Sequence, residues 1–135
     1  MSDTVGPLAI AVAQFAPGED KAANLEEMRD LATTSASRGA KLVVFPEYSS
    51  YFTPSLGAHS VAAAEALDGP FVAGLEAIAK VLDIHIVAGM LERGDVDNDR
   101  SFNTLVALDP HGALVAKYRK VHLYDAFGQR ESDWV

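Results

Sequence analysis

Cysteine is absent from this sequence of 135 residues. Disulfide bonds, cysteine-based zinc sites and a thiol nucleophile are therefore excluded within these residues. Histidine is scarce: the sequence has only His59, His85, His111 and His122, and no two of them have a metal-ligand spacing such as i, i+4. We therefore expect neither a metal ion nor another cofactor.

Long apolar runs are also missing. The longest, residues 8–13, is too short for a membrane span, which needs about 18 apolar residues. Near the start, Asp3 and the pair Gly6-Pro7 stand in place of the basic and apolar segments of a secretory signal. We expect a soluble, cytoplasmic protein with no membrane partner.

Positive charge is in deficit, because 19 acidic residues against 11 basic ones give a net charge of −8. Proteins bind nucleic acid by neutralising its phosphates, so this balance argues against a nucleic-acid partner. The glycine-rich patterns of nucleotide-binding loops do not occur. Asp95, Asp97 and Asp99 are similar to the start of a calcium-binding loop, but Arg100 and Val106 stand where that loop needs Gly and Glu. A solvated loop is the simpler interpretation.

The hydrophobic fraction of 49% is sufficient for a buried core, and the length fits one domain over residues 1–135. Apolar runs predict five strands, at residues 8–15, 41–45, 84–91, 102–108 and 113–122. The first and third are apolar on both faces, which is typical of strands buried inside an α/β protein. Apolar spacings of three and four predict helices at about 20–38 and 61–82, the second divided at Gly69-Pro70.

The remaining segments predict the connections. Residues 92–100 are polar and acidic, which indicates a surface loop. Residues 109–112 suit the turn of an antiparallel hairpin, because Pro110 fixes one turn dihedral and Gly112 accepts positive φ. The order β-α-β-α-β-β-β predicts a layered α/β fold with right-handed crossovers.

Glu47 is the first candidate for chemistry, because it follows the second predicted strand. Functional side chains collect at the carboxyl ends of strands in open α/β sheets. Its aromatic neighbours Phe45, Tyr48 and Tyr51 would partly desolvate the carboxylate and raise its pKa toward the range of a general base. A solvated loop glutamate could occupy the same position, so position alone leaves both interpretations open.

Two further candidates lie near the C-terminal end. An ammonium at Lys120, fixed on a rigid strand, can stabilise negative charge on a reacting oxygen. Taken alone, Lys120 is also explained by a solvated strand end, and Glu131 by an ordinary tail residue. Ser49 and Ser50 lie near Glu47, but their spacing gives no sign of a Ser-His-Asp arrangement.

Together, these segments resemble the nitrilase superfamily of carbon–nitrogen hydrolases. The matching motifs run in family order across almost the whole chain: Gln14-Phe15, the helix containing Asn24, Leu42-Val-Val-Phe-Pro-Glu47, Phe102-Asn103-Thr104-Leu105, Lys117-Tyr-Arg-Lys120-Val-His122-Leu123 and Glu131-Ser132. The resemblance implies an α-β-β-α sandwich, of which residues 1–135 supply the N-terminal half. It also implies a hydrolase that acts on a small amide, nitrile or carbamoyl substrate without a cofactor.

The resemblance assigns roles residue by residue. It makes Glu47 the general base, Lys120 the stabiliser of the tetrahedral intermediate and Glu131 a supporting glutamate beside the lysine. Tyr48 and His122, in the same motifs, are expected to contact the substrate. The family nucleophile is a cysteine a few tens of residues beyond the lysine motif. We therefore expect a partial domain that is inactive alone and belongs to a full-length homo-oligomer.

Two other functions stay open at this point. A short, catalytically inactive member of the same fold would act as a binding or interaction module. An unrelated flavodoxin-like signalling domain fits poorly, because it needs acidic residues at the end of the first strand, where this chain has Gln14-Phe15-Ala16-Pro17. Among the hydrolase substrates, the run Phe-Pro-Glu-Tyr-Ser slightly favours amides.

Overall fold

The computed structural model describes residues 6–95 and 99–135. Its elements are β1 (Ile10–Val12), α1 (Lys21–Ser37), β2 (Leu42–Val44), α2 (Ala58–Ala63), α3 (Pro70–Leu82), β3 (His85–Arg93), β4 (Ser101–Leu108), β5 (Leu114–Arg119), β6 (Asp125–Ala126), β7 (Gln129–Arg130) and a 3₁₀ turn (Glu131–Asp133). Strands β1 to β5 form one sheet in chain order, and β6 pairs with β7. The predicted α/β class is confirmed, and the five sheet strands and the helices between them follow one another along the chain in the predicted order.

The sheet changes from parallel to antiparallel at β3. Strands β1, β2 and β3 run parallel, because helices return the chain between them. Strands β3, β4 and β5 form an antiparallel meander. Two reversals restore the original direction, so β5 points the same way as β2. The segments that follow β2 and β5 therefore leave the sheet at the same edge, where the candidate site lies.

Local signals in the sequence explain where the helices and turns begin and end. The carboxylate of Asp20 caps α1 by accepting hydrogen bonds from the backbone N–H of Ala22 and Ala23, and Gly39 follows the helix with a φ of 88°. Pro70 occupies the first turn of α3, where a missing N–H costs nothing. The predicted hairpin turn joins β4 to β5, with Gly112 at a φ of 81°.

Helices α1 and α3 cover one face of the sheet. Met28 of α1 and Leu75 of α3 pack against Val43, Ile86 and Met90 of the strands, and all five side chains are inaccessible to solvent. Burying one such side chain stabilises a fold by about 1.5–3 kcal/mol. This face therefore holds the main core of the protein.

The opposite face of the sheet carries large exposed apolar side chains. We call it the open face; it includes Ile10, Val12, Leu105 and Tyr118, which strand register places on one side. The predicted strand 8–15 is shorter than expected and is not buried on both faces, since Ile10 is 54% and Val12 84% exposed. The reason is that β1 is an edge strand and the helices cover only the other side.

Three further sequence predictions need correction. Glu92 and Arg93 belong to β3 instead of a surface loop, because the buried carboxylate of Glu92 is hydrogen-bonded by Thr104 and Arg119. Strand β5 ends at Arg119 and not at residue 122, and the sequence did not predict the β6–β7 hairpin.

Asp97 of the calcium-like segment lies outside the described residues. Within 6–95 and 99–135, no helix combines the length and the apolar character that crossing a membrane requires.

Candidate active site

Glu47 lies on a sharp turn that directly follows β2, and we call residues 46–48 the elbow. Tyr48 takes a left-handed backbone conformation with a φ of 59°. Residues other than glycine rarely adopt it, and such residues cluster at functional sites. The hydroxyl of Ser49 donates to the carbonyl of Pro46 at 2.6 Å, and the N–H of Gly89 donates to the same carbonyl at 3.2 Å. The elbow is therefore fixed against β3.

Lys120 reaches the elbow from the end of β5. Its backbone N–H donates to the carbonyl of Asn103 at 2.8 Å, which keeps it beside β4. Its Nζ lies 2.9 Å from Oε1 of Glu47 and 2.9 Å from Oε2 of Glu131. Glu47 and Lys120 thus meet as expected, although 73 positions separate them. Their catalytic roles stay predictions.

Glu131 is a buried carboxylate, 4% exposed, that accepts four hydrogen bonds. Its Oε1 accepts from the hydroxyl of Tyr48 at 2.6 Å and from Nδ2 of Asn103 at 2.8 Å. Its Oε2 accepts from Lys120 at 2.9 Å and from the backbone N–H of Tyr124 at 2.6 Å. Burial alone would raise the pKa of Glu131, but these donors outweigh burial and hold the pKa below its usual value. Glu131 is therefore a fixed anion at neutral pH.

The two oxygens of Glu47 differ in their surroundings. Oε1 accepts from Lys120 and from Nδ2 of Asn103 at 2.7 Å, whereas Oε2 has no hydrogen-bond partner among the described residues. Desolvation would lower the pKa of Lys120, but its hydrogen bonds to Glu47 and Glu131 raise it above the usual value, so the ammonium stays charged. The site therefore combines a fixed cation with a carboxylate oxygen that is open to a proton.

Asn103 is the site residue that sequence reasoning missed. Its motif carries no predicted role for it, yet its amide bridges the carboxylates of Glu47 and Glu131. The side chain is 5% exposed and lies on the same face of the sheet as its cross-strand partner Leu91. Asparagine is depleted in strands, so a polar amide between the apolar positions of β4 was the available signal.

A cavity of about 380 Å³ opens beside these groups, within the size range of small-molecule sites. Its lining includes Glu47, Tyr48, Lys120 and Glu131, with Phe52, Pro54, Leu56, Tyr124 and Trp134 as apolar walls. Tyr48 therefore lines this cavity, and its predicted substrate contact stays a prediction. His122 does not: it is exposed and outside this lining, and its predicted substrate contact stays a prediction.

The hydroxyl groups of Ser49 and Ser50 both form hydrogen bonds with backbone groups. Ser49 closes the elbow, and Oγ of Ser50 accepts from the N–H of Leu91 at 3.0 Å. Asn24 of α1 donates to the carbonyls of Ser50 and Gly18, which ties α1 to the segment after the elbow. Over the described ranges, no group of three or more His, Cys, Asp or Glu side chains is placed to hold a metal ion.

The sequence also matches a known family over nearly its whole length. The model of the family described as carbon-nitrogen hydrolase covers residues 9–135. The chain belongs to the carbon–nitrogen hydrolase family. The predicted resemblance to the nitrilase superfamily is thereby confirmed.

Three proteins illustrate what this carbon–nitrogen hydrolase chain is similar to. A protein described as a hydrolase from Mycobacterium tuberculosis is 42% identical over 125 residues, which cover 91% of this chain and 43% of that protein. A chloroplastic omega-amidase from Arabidopsis thaliana is 33% identical over 123 residues, covering 86% and 32%. An amidase from Nesterenkonia sp. has a solved structure with a TM-score of 0.69 at 26% identity, covering 88% and 44%.

The similarity covers most of this chain but only part of each similar protein. The chain spans less than half the length of each of the three proteins. The Nesterenkonia amidase has also been solved, with one cysteine replaced by alanine, in complex with butyramide. The family match over residues 9–135 includes the five strands of the sheet and the three residues Glu47, Lys120 and Glu131.

Proposed function

We propose that this chain supplies the acid–base and charge-stabilising half of an amidase that acts on small non-peptide amides. The observation that supports this most directly is the pairing of Glu47 with Lys120 at 2.9 Å beside a cavity, with one Glu47 oxygen open to a proton. Amidases and omega-amidases among the similar proteins favour an amide over a nitrile or a carbamoyl group. The nucleophile would be a cysteine outside residues 1–135.

The proposed reaction begins at the substrate carbonyl. Oε2 of Glu47 takes the thiol proton, and the thiolate adds to the carbonyl carbon to form a tetrahedral intermediate. The ammonium of Lys120 stabilises the negative oxygen, since a preorganised cation in a partly desolvated site acts strongly on developing charge. Glu47 then gives its proton to the leaving nitrogen, which departs as ammonia or an amine and leaves a thioester.

A second half-reaction releases the acid. Glu47, ionised again, takes a proton from water as that water attacks the thioester carbon, and Lys120 stabilises the second tetrahedral intermediate. Collapse expels the thiolate, which recovers the proton from Glu47. The net change is addition of one water across the C–N bond. Glu131, already bonded to four donors, would keep Lys120 in place through both halves.

The test compares residues 1–135 with the complete protein that contains them. We expect no butyramide hydrolysis by residues 1–135 and turnover by the complete protein. Glu47→Gln should lower kcat at least about 100-fold there, the scale of general acid–base catalysis. Glu26→Gln, at an exposed position on α1, is the matched control. Turnover by residues 1–135 that survives thiol alkylation would disprove the mechanism.

The same assay separates the competing functions. The first competing function is a catalytically inactive binding module of the same fold. That function predicts a complete protein that binds butyramide without turnover. If the complete protein releases ammonia faster from a nitrile than from butyramide, or if it cleaves a carbamoyl compound faster, the substrate class is a nitrile or a carbamoyl compound instead of an amide. A homo-oligomeric, cytoplasmic complete protein stays a prediction.

A further inference from the structure

The hydroxyl of Tyr48 donates its hydrogen bond to Oε1 of Glu131. The distance between them is 2.6 Å, within the range of a short, charge-assisted O–H···O⁻ bond. Burial, followed by the hydrogen bond and the negative charge of Glu131, raises the pKa of the Tyr48 phenol, so it remains a proton donor at every physiological pH. A phenol has one proton, and this one is given to Glu131 and not to a ligand in the cavity.

This hydroxyl belongs to a residue with a strained backbone conformation at the elbow. The left-handed φ of 59° at Tyr48 costs stability and persists only where the surroundings enforce it. Here the N–H of Tyr51 donates to the carbonyl of Tyr48 at 3.2 Å, and the ring of Phe52 lies edge-on at 6.4 Å between ring centroids. The fold therefore maintains a costly conformation at the residue whose phenol donates to Glu131.

We propose that Tyr48 is a positioning residue, whose hydroxyl holds Glu131 and, through Glu131, the ammonium of Lys120. This inference rests on the proposed amidase function. The atoms form a continuous path: Tyr48 donates to Oε1 of Glu131, and Lys120 donates to Oε2 of Glu131 and to Oε1 of Glu47. Tyr48 also lines the cavity, together with Lys120 and Glu131.

Loss of the hydroxyl would act on the reaction and not on substrate binding. Without it, Oε1 of Glu131 keeps one donor, Asn103, and the Glu131 carboxylate becomes easier to protonate and less firmly placed. Lys120, which donates to Oε2 of Glu131, would then be less firmly held beside Glu47 and the substrate oxygen. A direct substrate contact has a different signature, because removing uniform binding raises KM and leaves kcat unchanged.

A double-mutant cycle of Tyr48→Phe and Glu131→Gln in the complete protein tests the path, with butyramide as substrate. Tyr48→Phe should lower kcat by about ten- to hundredfold, the range for hydrogen bonds to charged groups, with KM within about twofold. The acid limb of its kcat/KM profile should move to higher pH, since Glu131 protonates more easily. In the Glu131→Gln background, Tyr48→Phe should change kcat less than about threefold. Tyr51→Phe is the matched control and should be additive.

The outcomes are decisive in both directions. A rise in KM with unchanged kcat and pH profile, or an equal loss in both backgrounds, would overturn the inference and make Tyr48 a substrate contact. If the wild-type protein hydrolyses no amide, the proposed function fails, and the unfolding equilibria of the same four proteins decide about Tyr48. A coupling of about tenfold in the unfolding constant would support the path, and additivity would overturn it.

Discussion

Gly89 lies directly against Glu47: a β-carbon built on this glycine would stand 2.7 Å from the Cα of Glu47. The same atom would lie 2.9 Å from the carbonyl oxygen of Pro46 and 2.9 Å from the backbone nitrogen of Tyr48. Glycine weakens the interior of a strand and often marks a close backbone approach. In β3 it allows the whole elbow to rest on the sheet.

Gly89→Ala should displace the elbow and misplace Glu47. We expect kcat of the complete protein to fall by at least about tenfold, since a shift near 1 Å can cost on the order of 100-fold. Stability should fall by about 1–3 kcal/mol from overpacking, measured by urea unfolding. Gly18→Ala is the control, because among the described residues no atom beyond its own chain neighbours would lie within 4 Å of its β-carbon. An unchanged kcat in Gly89→Ala would show that the elbow tolerates movement.

Acid should destabilise the protein through Glu92 and Glu131, whose pKa values in the folded state lie below the usual 4.5. Burial opposes the shift in Glu92, but hydrogen bonds from Arg119 and Thr104 outweigh it. A depressed folded pKa gives stability that is present above the unfolded pKa and is lost as pH falls through the folded one. Urea midpoints should therefore drop as the pH falls through the usual value of 4.5 and below it.

Glu92→Gln is the variant that checks this assignment. Its urea midpoint should depend less on pH over the acid range, because the titrating group is gone. Glu26→Gln, at an exposed position, should keep the wild-type pH dependence. Parallel curves for wild type and Glu92→Gln would mean that other carboxylates cause the acid unfolding.

Arg119→Met should destabilise the protein by about 2 kcal/mol in urea unfolding, because it leaves the buried Glu92 carboxylate without its charged partner. The guanidinium donates two hydrogen bonds to Glu92, at 2.7 and 2.9 Å, and stacks 3.9 Å from the centre of the Phe102 ring. Lys117→Met is the control, since Lys117 lies 4.0 Å from Glu92 and its loss should cost less.

The double variant Glu92→Gln with Arg119→Met should recover part of that loss. Removing both charges avoids a buried, unpaired carboxylate, and such replacements are often nearly neutral. If the two single effects simply add, the hydrogen bonds between Glu92 and Arg119 do not stabilise the fold.

Residues 1–135 alone should self-associate through the open face. Val12 and Tyr118 are 84% and 57% exposed, and β1 is an unpaired edge. Apolar patches and open edges promote association. Sedimentation should show oligomers, and Val12→Lys with Tyr118→Lys should shift the distribution toward monomer. A monodisperse wild-type monomer with a sharp unfolding transition would contradict this and favour an independent module.

The order of strands and helices along the chain could be predicted from apolar periodicity, and the meeting of Glu47 with Lys120 from their positions at strand ends in matching motifs. The burial of Glu92 and of Glu131 could not be predicted from the sequence, because residues far away in the chain surround these two side chains. Glu92 has the composition of a surface loop, and only Arg119 and Thr104 make its burial possible. Glu131 has the sequence position of an exposed tail, but donors from three other segments surround it.

The hydrogen bonds of Glu131 and Glu47 also bear on the order of folding. Tyr48 and Glu131 are 83 positions apart, and Asn103 and Glu47 are 56 apart, whereas the β4–β5 hairpin closes over a few residues. Non-local contacts carry a larger loop-closure entropy and form slowly. The meander can therefore form before the site exists. Substitutions at Tyr48 or Glu131 should mainly accelerate unfolding and leave the folding rate almost unchanged.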